Sequence, residues 1–343
     1  MTKKHRIRFL LLLILTVFPS VLQAEPSRVS TLLIETETGH ILFSENASEK
    51  RYPASLTKMM TLYLVFDALE KKEIRMDQLL TVSKKASKMP RSRMGLKENS
   101  TISVENAVFA MISRSANDAA VVVAEGMAGS EAQFADKMTR VARELGMKNT
   151  RFKNASGLHD KDQVTTAQDM AILSNALIQH FPEYYKLFSV RGFRYGKRYY
   201  GNHNLVARFY KGGDGLKTGY VDASGYHVVG SAVRNGKRLI GVVMGRNSVR
   251  ERDRHIFKLL DSGFAALKNK TPALDSLMQE PLFEPTKERK RETNEADYRK
   301  LKIAEKKLSE DIDRISSIEQ SFQTEQNTNV VKNAIIDWGK KKK

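Results

Sequence analysis

The sequence predicts an α/β protein of the α+β kind, in which an antiparallel sheet is covered by helices. Two strand patterns stand near the start of the chain, a block of helical patterns follows, and three strand patterns rich in Val and Ile come after residue 212. A last amphipathic pattern, over residues 252–267, predicts a closing helix. Strands from both ends of such a domain are expected to lie side by side in one sheet.

The first part of the chain predicts a β-hairpin followed by helices. Residues 29–35 and 40–44 have strand patterns on either side of a Glu-Thr-Gly turn signal. Apolar residues recur at three- and four-residue steps over residues 53–72, which predicts a helix. Residues 83–99 are basic and show no regular pattern. Further helices are predicted over residues 103–112, 117–127, 131–145 and 165–178.

The second part of the chain predicts the rest of the sheet. Strand patterns cover residues 215–219, 226–233 and 238–244. Turn signals separate them, and Arg234-Asn235-Gly236 is a strong hairpin marker. Residues 25–269 are therefore expected to form one domain.

Residues 1–24 have the layout of a secretory signal peptide. Basic residues precede an apolar run from Phe9 to Phe18, and the segment ends on the small residue Ala24. The run is about half of the ~20 residues that a membrane span needs, so cleavage is favoured over a transmembrane anchor. The sequence thus predicts export to the periplasm or to the outer face of the cytoplasmic membrane.

The composition changes after residue 269. Prolines mark residues 270–294 as a linker, and residues 295–343 predict a charged helical tail, either a weak coiled coil or a solvated, partly disordered helix. Four residues share one helical face before the final lysines: Val331, Ala334, Ile335 and Trp338. This face predicts a short anchor on an anionic membrane surface, with a frayed soluble tail as the alternative.

Charge and residue usage limit the function classes. The formal net charge is +19, and residues 25–269 keep 38 basic against 25 acidic residues. Such a surface would bind polyanions, with a basic surface that has no binding role as the alternative. An exported protein meets a wall polymer or an anionic membrane, so no nucleic acid partner is predicted. The chain has no cysteine, which excludes disulfides. The seven histidines are scattered and are interpreted as structural, so neither a metal nor a cofactor is predicted.

The segment Ser55-Leu56-Thr57-Lys58 carries the first candidate chemistry. Ser55 and Lys58 lie one helical turn apart on the same face. A serine becomes a nucleophile when a base takes its proton, and a lysine can be that base when burial or a nearby cation lowers its pKa. The free N–H groups of a helix N-terminus suit a developing oxyanion. Alone, this pattern is expected about once by chance in a chain of this length.

Two triplets can complete such a site. In Ser115-Ala116-Asn117, the serine can relay a proton to a leaving amine and the asparagine can hold a substrate carbonyl, although a helix N-cap also explains the serine. In Lys217-Thr218-Gly219, the lysine and threonine can bind a carboxylate, and the glycine lets a ligand approach a strand edge. A solvated edge lysine is the alternative. Each triplet alone favours its structural explanation.

Together, and in this order, the three motifs resemble those of the β-lactamases and penicillin-binding proteins. The surrounding residues strengthen the resemblance: Tyr52-Pro53-Ala54, Asp118-Ala119-Ala120, Asp214-Gly215-Leu216 and the segment 154–158. Over about residues 29–267 the chain is similar to the serine D-alanyl-D-alanine carboxypeptidases, which are low-molecular-mass penicillin-binding proteins. The resemblance implies a β-lactamase/transpeptidase-like fold.

The resemblance also implies the catalytic roles. Ser55 would attack the bond between two D-alanines of a peptidoglycan stem peptide, and Lys58 would take its proton. Ser115, with Lys217 nearby, would pass a proton to the departing D-alanine. The backbone N–H groups of Ser55 and Tyr220 would bind the oxyanion.

It implies the binding roles as well. Lys217 and Thr218, beside Gly219, would bind the terminal carboxylate of the substrate, and Asn117 its amide. β-Lactam antibiotics would be covalent inhibitors, because their ring mimics the dipeptide.

Three alternatives share part of the pattern. A β-lactamase would carry a Glu-x-x-x-Asn segment before the Lys-Thr-Gly strand, and no glutamate between residues 115 and 217 has an asparagine four residues later. A D,D-endopeptidase that cuts cross-links would use the same chemistry and stays open. A non-catalytic wall-binding protein would not need the intact motifs. Residues 270–329 lack strand patterns, so the second β-rich domain of many family members is expected to be absent or replaced by a helical stalk.

Overall fold

The computed structural model describes residues 28–269 and 281–283, and its strands come from both ends of that range. The strands are β1 Ser30–Glu35, β2 Ile41–Glu45, β3 Leu79–Thr81, β4 Thr101–Ser103, β5 Gly192–Tyr195, β6 Arg198–Gly201, β7 Gly213–Val221, β8 Gly225–Arg234 and β9 Lys237–Arg246. The α-helices are α1 Lys58–Glu70, α2 Lys84–Ser87, α3 Val104–Phe109, α4 Asn117–Ala128, α5 Glu131–Glu144, α6 Ala167–His180, α7 Pro182–Tyr185, α8 Leu205–Phe209 and α9 Val249–Lys268.

A five-stranded antiparallel sheet has the order β2-β1-β9-β8-β7. β1 pairs with β9, with Leu32 opposite Val242, so the predicted contact between the first and last strands is confirmed. β7 lies at the end of the order, and one of its edges is therefore unpaired within this sheet. That edge is where the Lys-Thr-Gly motif stands.

Helices bury the sheet on both faces. Successive residues of β9 point to opposite faces, so Val242 joins the larger core with α1 and α6, and Val243 packs with Ile256 of α9. All residues of α1 except Asp67 and Glu70 are buried. Because α1 is surrounded by other elements, the residues at its start are held in a fixed position, and these include Lys58.

Several boundaries differ from the predictions. The helix predicted over residues 53–72 begins with a 3-10 turn, Ala54–Thr57, and becomes α-helical at Lys58. The helix predicted over residues 103–112 changes at Ala110 into a π-helical turn that ends at Arg114. The prediction that residues 83–99 are irregular is wrong at their start, because Ser83 caps the short helix α2 with its hydroxyl.

The two terminal predictions lie almost wholly outside the described residues. The signal peptide, most of the linker and the helical tail belong to this part of the chain. Of the predicted linker, residues 281–283 are described, and the N–H of Leu282 donates to the carbonyl of Gly39 at 3.0 Å. Within residues 28–269 and 281–283, no helix is long and apolar enough to cross a membrane.

Candidate active site

The three sequence motifs meet at one cavity of about 760 Å³. Six of the predicted site residues line it: Ser55, Ser115, Asn117, Thr218, Gly219 and Tyr220. The other two, Lys58 and Lys217, are 0% and 1% exposed. The fold therefore brings together α1, the turn before α4, and the edge strand β7.

Lys58 lies in hydrogen-bond contact with the nucleophile candidate. Its Nζ is 3.2 Å from Ser55 Oγ, 2.7 Å from Asn117 Oδ1 and 2.5 Å from the carbonyl oxygen of Ser156. Burial and the nearby Lys217 lower the pKa of Lys58 well below its ordinary value, although two carboxylates oppose this shift. A protonated Lys58 would donate to all three oxygens, whereas a neutral amine would donate to the two carbonyl oxygens and accept from the hydroxyl of Ser55. The lowered pKa, and not the contacts, favours the neutral form.

The carbonyl of Ser156 is placed by a hydrogen-bonded loop. Asn154 Oδ1 accepts from the N–H of Gly157 at 2.7 Å, and Thr61 of α1 donates to the carbonyl of Ala155 at 2.8 Å. The buried carboxylate of Glu131 accepts from the N–H of Ala155 at 3.0 Å. These contacts with α1 and α5 fix the loop, and the loop in turn places the carbonyl oxygen of Ser156 beside Lys58 Nζ.

The backbone around Ser55 is held in an unusual conformation. Ala54 has φ +49°, in the left-handed region, and such a residue persists where the surrounding structure enforces it. A Cβ on Gly157 would stand 1.9 Å from the carbonyl oxygen of Ala54, and a Cβ on Gly219 would stand 3.1 Å from the nitrogen of Ser55. Both glycines are needed for this close approach, and Gly219 brings β7 beside the nucleophile.

Ser115 is also in the left-handed region, with φ +59°. The N-cap of α4 is Ala116 and no side chain caps this helix, so the alternative explanation of Ser115 as an N-cap is wrong. Among the described residues its buried Oγ has no hydrogen-bond partner. The hydroxyl is therefore available to a ligand in the cavity.

Asn117 and Asp118 tie a basic loop to the start of α4. The side-chain amide of Asn117 donates to the carbonyls of Pro90 and Arg91, each at 3.1 Å. Asp118 accepts from three main-chain N–H groups of the loop, those of Met94, Gly95 and Leu96. Both N–H groups of the Asn117 amide are engaged, and Oδ1 accepts from Lys58. Oδ1 can accept one more hydrogen bond, from a substrate N–H. To donate to a substrate carbonyl, Asn117 would have to release one of these loop contacts.

Lys217 is buried, which contradicts the alternative of a solvated edge lysine. Its Nζ donates to the carbonyl of Thr218 at 2.8 Å. Burial and the positive charge of Arg252 lower the pKa of Lys217 to about 7. Arg252, from α9, lines the cavity and pairs with Asp253 through two hydrogen bonds of 2.8 and 2.9 Å.

His203 also lines the cavity. Burial, and then the charges of Lys217, Arg114, Arg252 and Arg208, lower its pKa to about 4. A pKa of about 4 leaves this ring neutral near pH 7. Among the described residues, no group of three or more His, Asp and Glu side chains could hold a metal ion.

The sequence and the fold were compared with known proteins. Residues 20–248 match the family model described as D-alanyl-D-alanine carboxypeptidase. The chain belongs to this family. The resemblance that the motifs indicated is thereby confirmed.

Curated members of the carboxypeptidase family agree with this assignment. D-alanyl-D-alanine carboxypeptidase DacF of Bacillus subtilis is 36% identical over 241 residues, which are 69% of this chain and 62% of that protein. DacC of Escherichia coli is 36% identical over 274 residues, or 77% of this chain and 68% of that protein. The chain spans about three-fifths of the length of DacF and of DacA of Haemophilus influenzae.

Solved structures in the family share the fold. Penicillin-binding protein 5 from Haemophilus influenzae aligns with a TM-score of 0.67 and 36% identity, over 70% of this chain and 71% of that chain. Penicillin-binding protein D2 from Listeria monocytogenes, in its cefotaxime-bound form, aligns with a TM-score of 0.63 and 33% identity, over 68% of this chain and 96% of that chain. The predicted antiparallel sheet covered by helices, of the β-lactamase/transpeptidase-like type, is confirmed.

Three parts of this carboxypeptidase-family site were missed in the sequence. The contact of Lys58 with Ser156 uses a main-chain carbonyl, so the side chain of Ser156 does not indicate it, although the segment 154–158 is part of the family resemblance. Arg252 appears in the sequence as one more charge on an amphipathic helix. His203 lies in residues 181–211, whose elements α7, β5, β6 and α8 are too short for a periodic pattern.

Proposed function

We propose that this chain is a serine-type D-Ala-D-Ala carboxypeptidase, which removes the terminal D-alanine from peptidoglycan stem peptides. The observation that carries the proposal is the contact between Lys58 Nζ and Ser55 Oγ, together with the lowered pKa of this fully buried lysine. A neutral amine beside a hydroxyl is the arrangement that activates a serine.

The first half of the reaction forms an acyl-enzyme. The amine of Lys58 takes the proton of Ser55 as Oγ attacks the carbonyl carbon of the penultimate D-alanine. The negative charge on the carbonyl oxygen is stabilised by the N–H groups of Ser55 and Tyr220. The C–N bond then breaks, and the hydroxyl of Ser115 relays a proton to the departing amine of the terminal D-alanine. Water attacks the resulting ester and releases the shortened peptide.

The substrate binds along the edge strand β7. An extended peptide can add to an unpaired strand edge through main-chain hydrogen bonds, and Gly219 keeps that edge close to Ser55. Lys217 and Thr218 bind the terminal carboxylate, and Asn117 contacts the peptide amide. β-Lactams enter the same place and acylate Ser55, because they present a carbonyl and a carboxylate in a similar arrangement.

Intact-mass analysis after incubation with penicillin tests this proposal, beside an assay of D-alanine release from a peptide ending in D-Ala-D-Ala. We expect a persistent adduct and D-alanine release from the unaltered protein, and neither from Ser55→Ala. An adduct without release would favour a D,D-endopeptidase, and fast penicillin turnover a β-lactamase. No adduct and no release from folded protein would support the non-catalytic wall-binding alternative.

The domain plan and location are part of the same proposal. Residues 1–24 direct export as a signal peptide, residues 25–269 form the catalytic domain, residues 270–294 are a linker, and residues 295–343 are a helical tail that rests on the anionic outer face of the cytoplasmic membrane. Peptidoglycan lies outside the cytoplasm, which supports export. Cosedimentation of the full chain with anionic vesicles, beside that of a chain ending at residue 294, tests the role of the tail. Equal vesicle binding by the two proteins would rule the anchor out.

A further inference from the structure

The charged side chains that line the cavity at Ser55 are all positive. Its lining contains four arginines and neither aspartate nor glutamate: Arg91, Arg114, Arg208 and Arg252. Over residues 25–269 as a whole, 38 basic residues are accompanied by 25 acidic ones. An anionic group on the substrate would therefore meet no carboxylate among the residues that line the cavity.

Among the described residues, three of these arginines have no carboxylate partner, and Arg114 and Arg208 are two of them. Arg252 is paired with Asp253, whereas no ion pair joins Arg114 or Arg208 to an acidic residue in the described part of the chain. The Nε of Arg114 is buried without a hydrogen-bond acceptor among the described residues. Arg208 lies over the ring of Phe209 at 4.6 Å, and its Nη1 is 3.5 Å from the carbonyl oxygen of Asn202. A buried N–H group without an acceptor is unfavourable, so a ligand that supplies one would bind well.

The two arginines line the same cavity as Thr218. Arg114 ends the π-helical turn directly before Ser115, and Arg208 is on α8, five residues after His203. The ring of His203 is within electrostatic reach of Arg114, Arg208, Arg252 and Lys217. A terminal carboxylate at Lys217 and Thr218 would leave the charges of Arg114 and Arg208 uncompensated.

We propose that Arg114 and Arg208 form a second anion subsite, which binds a carboxylate that the peptide carries upstream of D-Ala-D-Ala. The subsite rests on the proposed function and adds a substrate preference to it. Guanidinium groups bind carboxylates through charge-assisted, often bidentate hydrogen bonds. The enzyme therefore prefers stem peptides with an acidic residue over those in which this carboxylate is amidated.

Two pairs of peptides distinguish the sources of the carboxylate. In the first pair, the residue directly before D-Ala-D-Ala has a side-chain carboxylate or the matching carboxamide. In the second pair, this group is one residue further upstream. We expect kcat/KM about tenfold higher for the carboxylate form of at least one pair, mainly through KM. The preference falls as salt rises.

Arginine variants connect the preference to the subsite. Arg114→Gln and Arg208→Gln each reduce the ratio of kcat/KM between carboxylate and amide forms to about twofold or less. Arg208→Gln keeps the test valid if Arg114→Gln fails to fold. The matched control is Arg140→Gln, which removes a charge from the exposed side of α5 and leaves the preference unchanged.

The outcomes separate the two proposals. If all four peptides are cleaved but carboxylate and amide forms react equally, the subsite is overturned and the carboxypeptidase stands. If no peptide is cleaved, the proposed function fails, and calorimetric binding of the same peptides to Ser55→Ala decides the subsite: equal affinity for carboxylate and amide forms overturns it, and tighter carboxylate binding that Arg208→Gln abolishes supports it.

Discussion

Nε2 of His227 lies 3.1 Å from the main-chain carbonyl oxygen of Tyr52, three residues before Ser55. Nδ1 of the same ring accepts from the N–H of Gly245 at 3.0 Å, so the ring proton is on Nε2 and can be donated. The hydroxyl of Ser224 donates to the same carbonyl at 3.0 Å. The β8 side chain His227, which is fully buried, thus helps to hold the segment that carries the nucleophile and the left-handed Ala54.

We expect His227→Ala to slow acylation about tenfold or more, because a small displacement of Ser55 misaligns it with Lys58. His227→Asn, which can still donate and accept, recovers part of the rate. The acylation rate constant with penicillin, per folded molecule, measures the effect. His255→Ala is the control, since His255 contacts Arg246 and does not line the cavity. Loss of thermal stability with unchanged acylation would show that His227 is only structural.

The buried histidines also predict how stability depends on pH. Burial is the main cause that lowers the pKa of His203, His227 and His255 from 6.5 to about 4. In the unfolded chain these rings take up protons near pH 6.5, whereas in the folded protein they do so only near pH 4. The stability that these three neutral rings contribute is therefore fully present above about pH 6.5 and is lost as the pH falls from there to about 4.

Thermal unfolding at closely spaced pH values between 7.5 and 4 measures this loss. His227→Gln removes one of the titrating groups, so its melting temperature changes less across the same range than that of the unaltered protein. An identical pH dependence in the variant would contradict the contribution of His227, whatever its effect on stability at pH 7.5.

The sequence predicted the sheet well because its strands carry local signals. The hairpin of β1 and β2 has a turn signal between two short apolar runs, and β8 and β9 have an Asn-Gly turn between Val- and Ile-rich runs. The residue types of the three motifs, and their order along the chain, were enough to predict the site residues. Six of these residues line one cavity in the fold. What the spacing alone could not supply was the contact between Lys58 and Ser156, since it joins residues 98 positions apart through a backbone oxygen.

Other parts of the site depend on contacts that no local pattern encodes. His203 and His227 look alike in the sequence, yet one lines the cavity and the other holds the nucleophile segment from β8. The left-handed conformation of Ala54 contradicts the preference of a non-glycine residue, and it exists because neighbouring strands and loops enforce it. Tertiary contacts decided these features.

The two lysines predict a bell-shaped dependence of kcat/KM on pH. Lys58 must be neutral to take the proton of Ser55, so activity falls on the acid side as it becomes protonated. Lys217 must be charged to bind the terminal carboxylate, and its pKa of about 7 in the free protein predicts a fall as the pH rises above that value. We expect a maximum between the two limbs, measured by D-alanine release from pH 5 to 10.

Lys217→Arg tests the assignment of the alkaline limb. An arginine stays charged over this range, so the variant is expected to lose less activity between about pH 7 and 9 than the unaltered protein, even if its maximum rate is lower. An unchanged alkaline limb would assign that limb to a group other than Lys217.

Gly219→Ala tests how closely β7 must approach the nucleophile. The new Cβ would stand 3.1 Å from the nitrogen of Ser55 and 3.2 Å from the Cβ of Ala54, so backbone at the nucleophile has to shift. Gly230→Ala on β8 is a matched control, because its Cβ would meet a Val206 methyl carbon at 3.0 Å, which is a side-chain atom. We expect both variants to lose thermal stability, by about 1–3 kcal/mol. Only Gly219→Ala is expected to acylate at least about tenfold more slowly per folded molecule, because a small misplacement of the nucleophile is costly. Equal acylation by the two variants would mean that crowding at Ser55 does not limit the reaction.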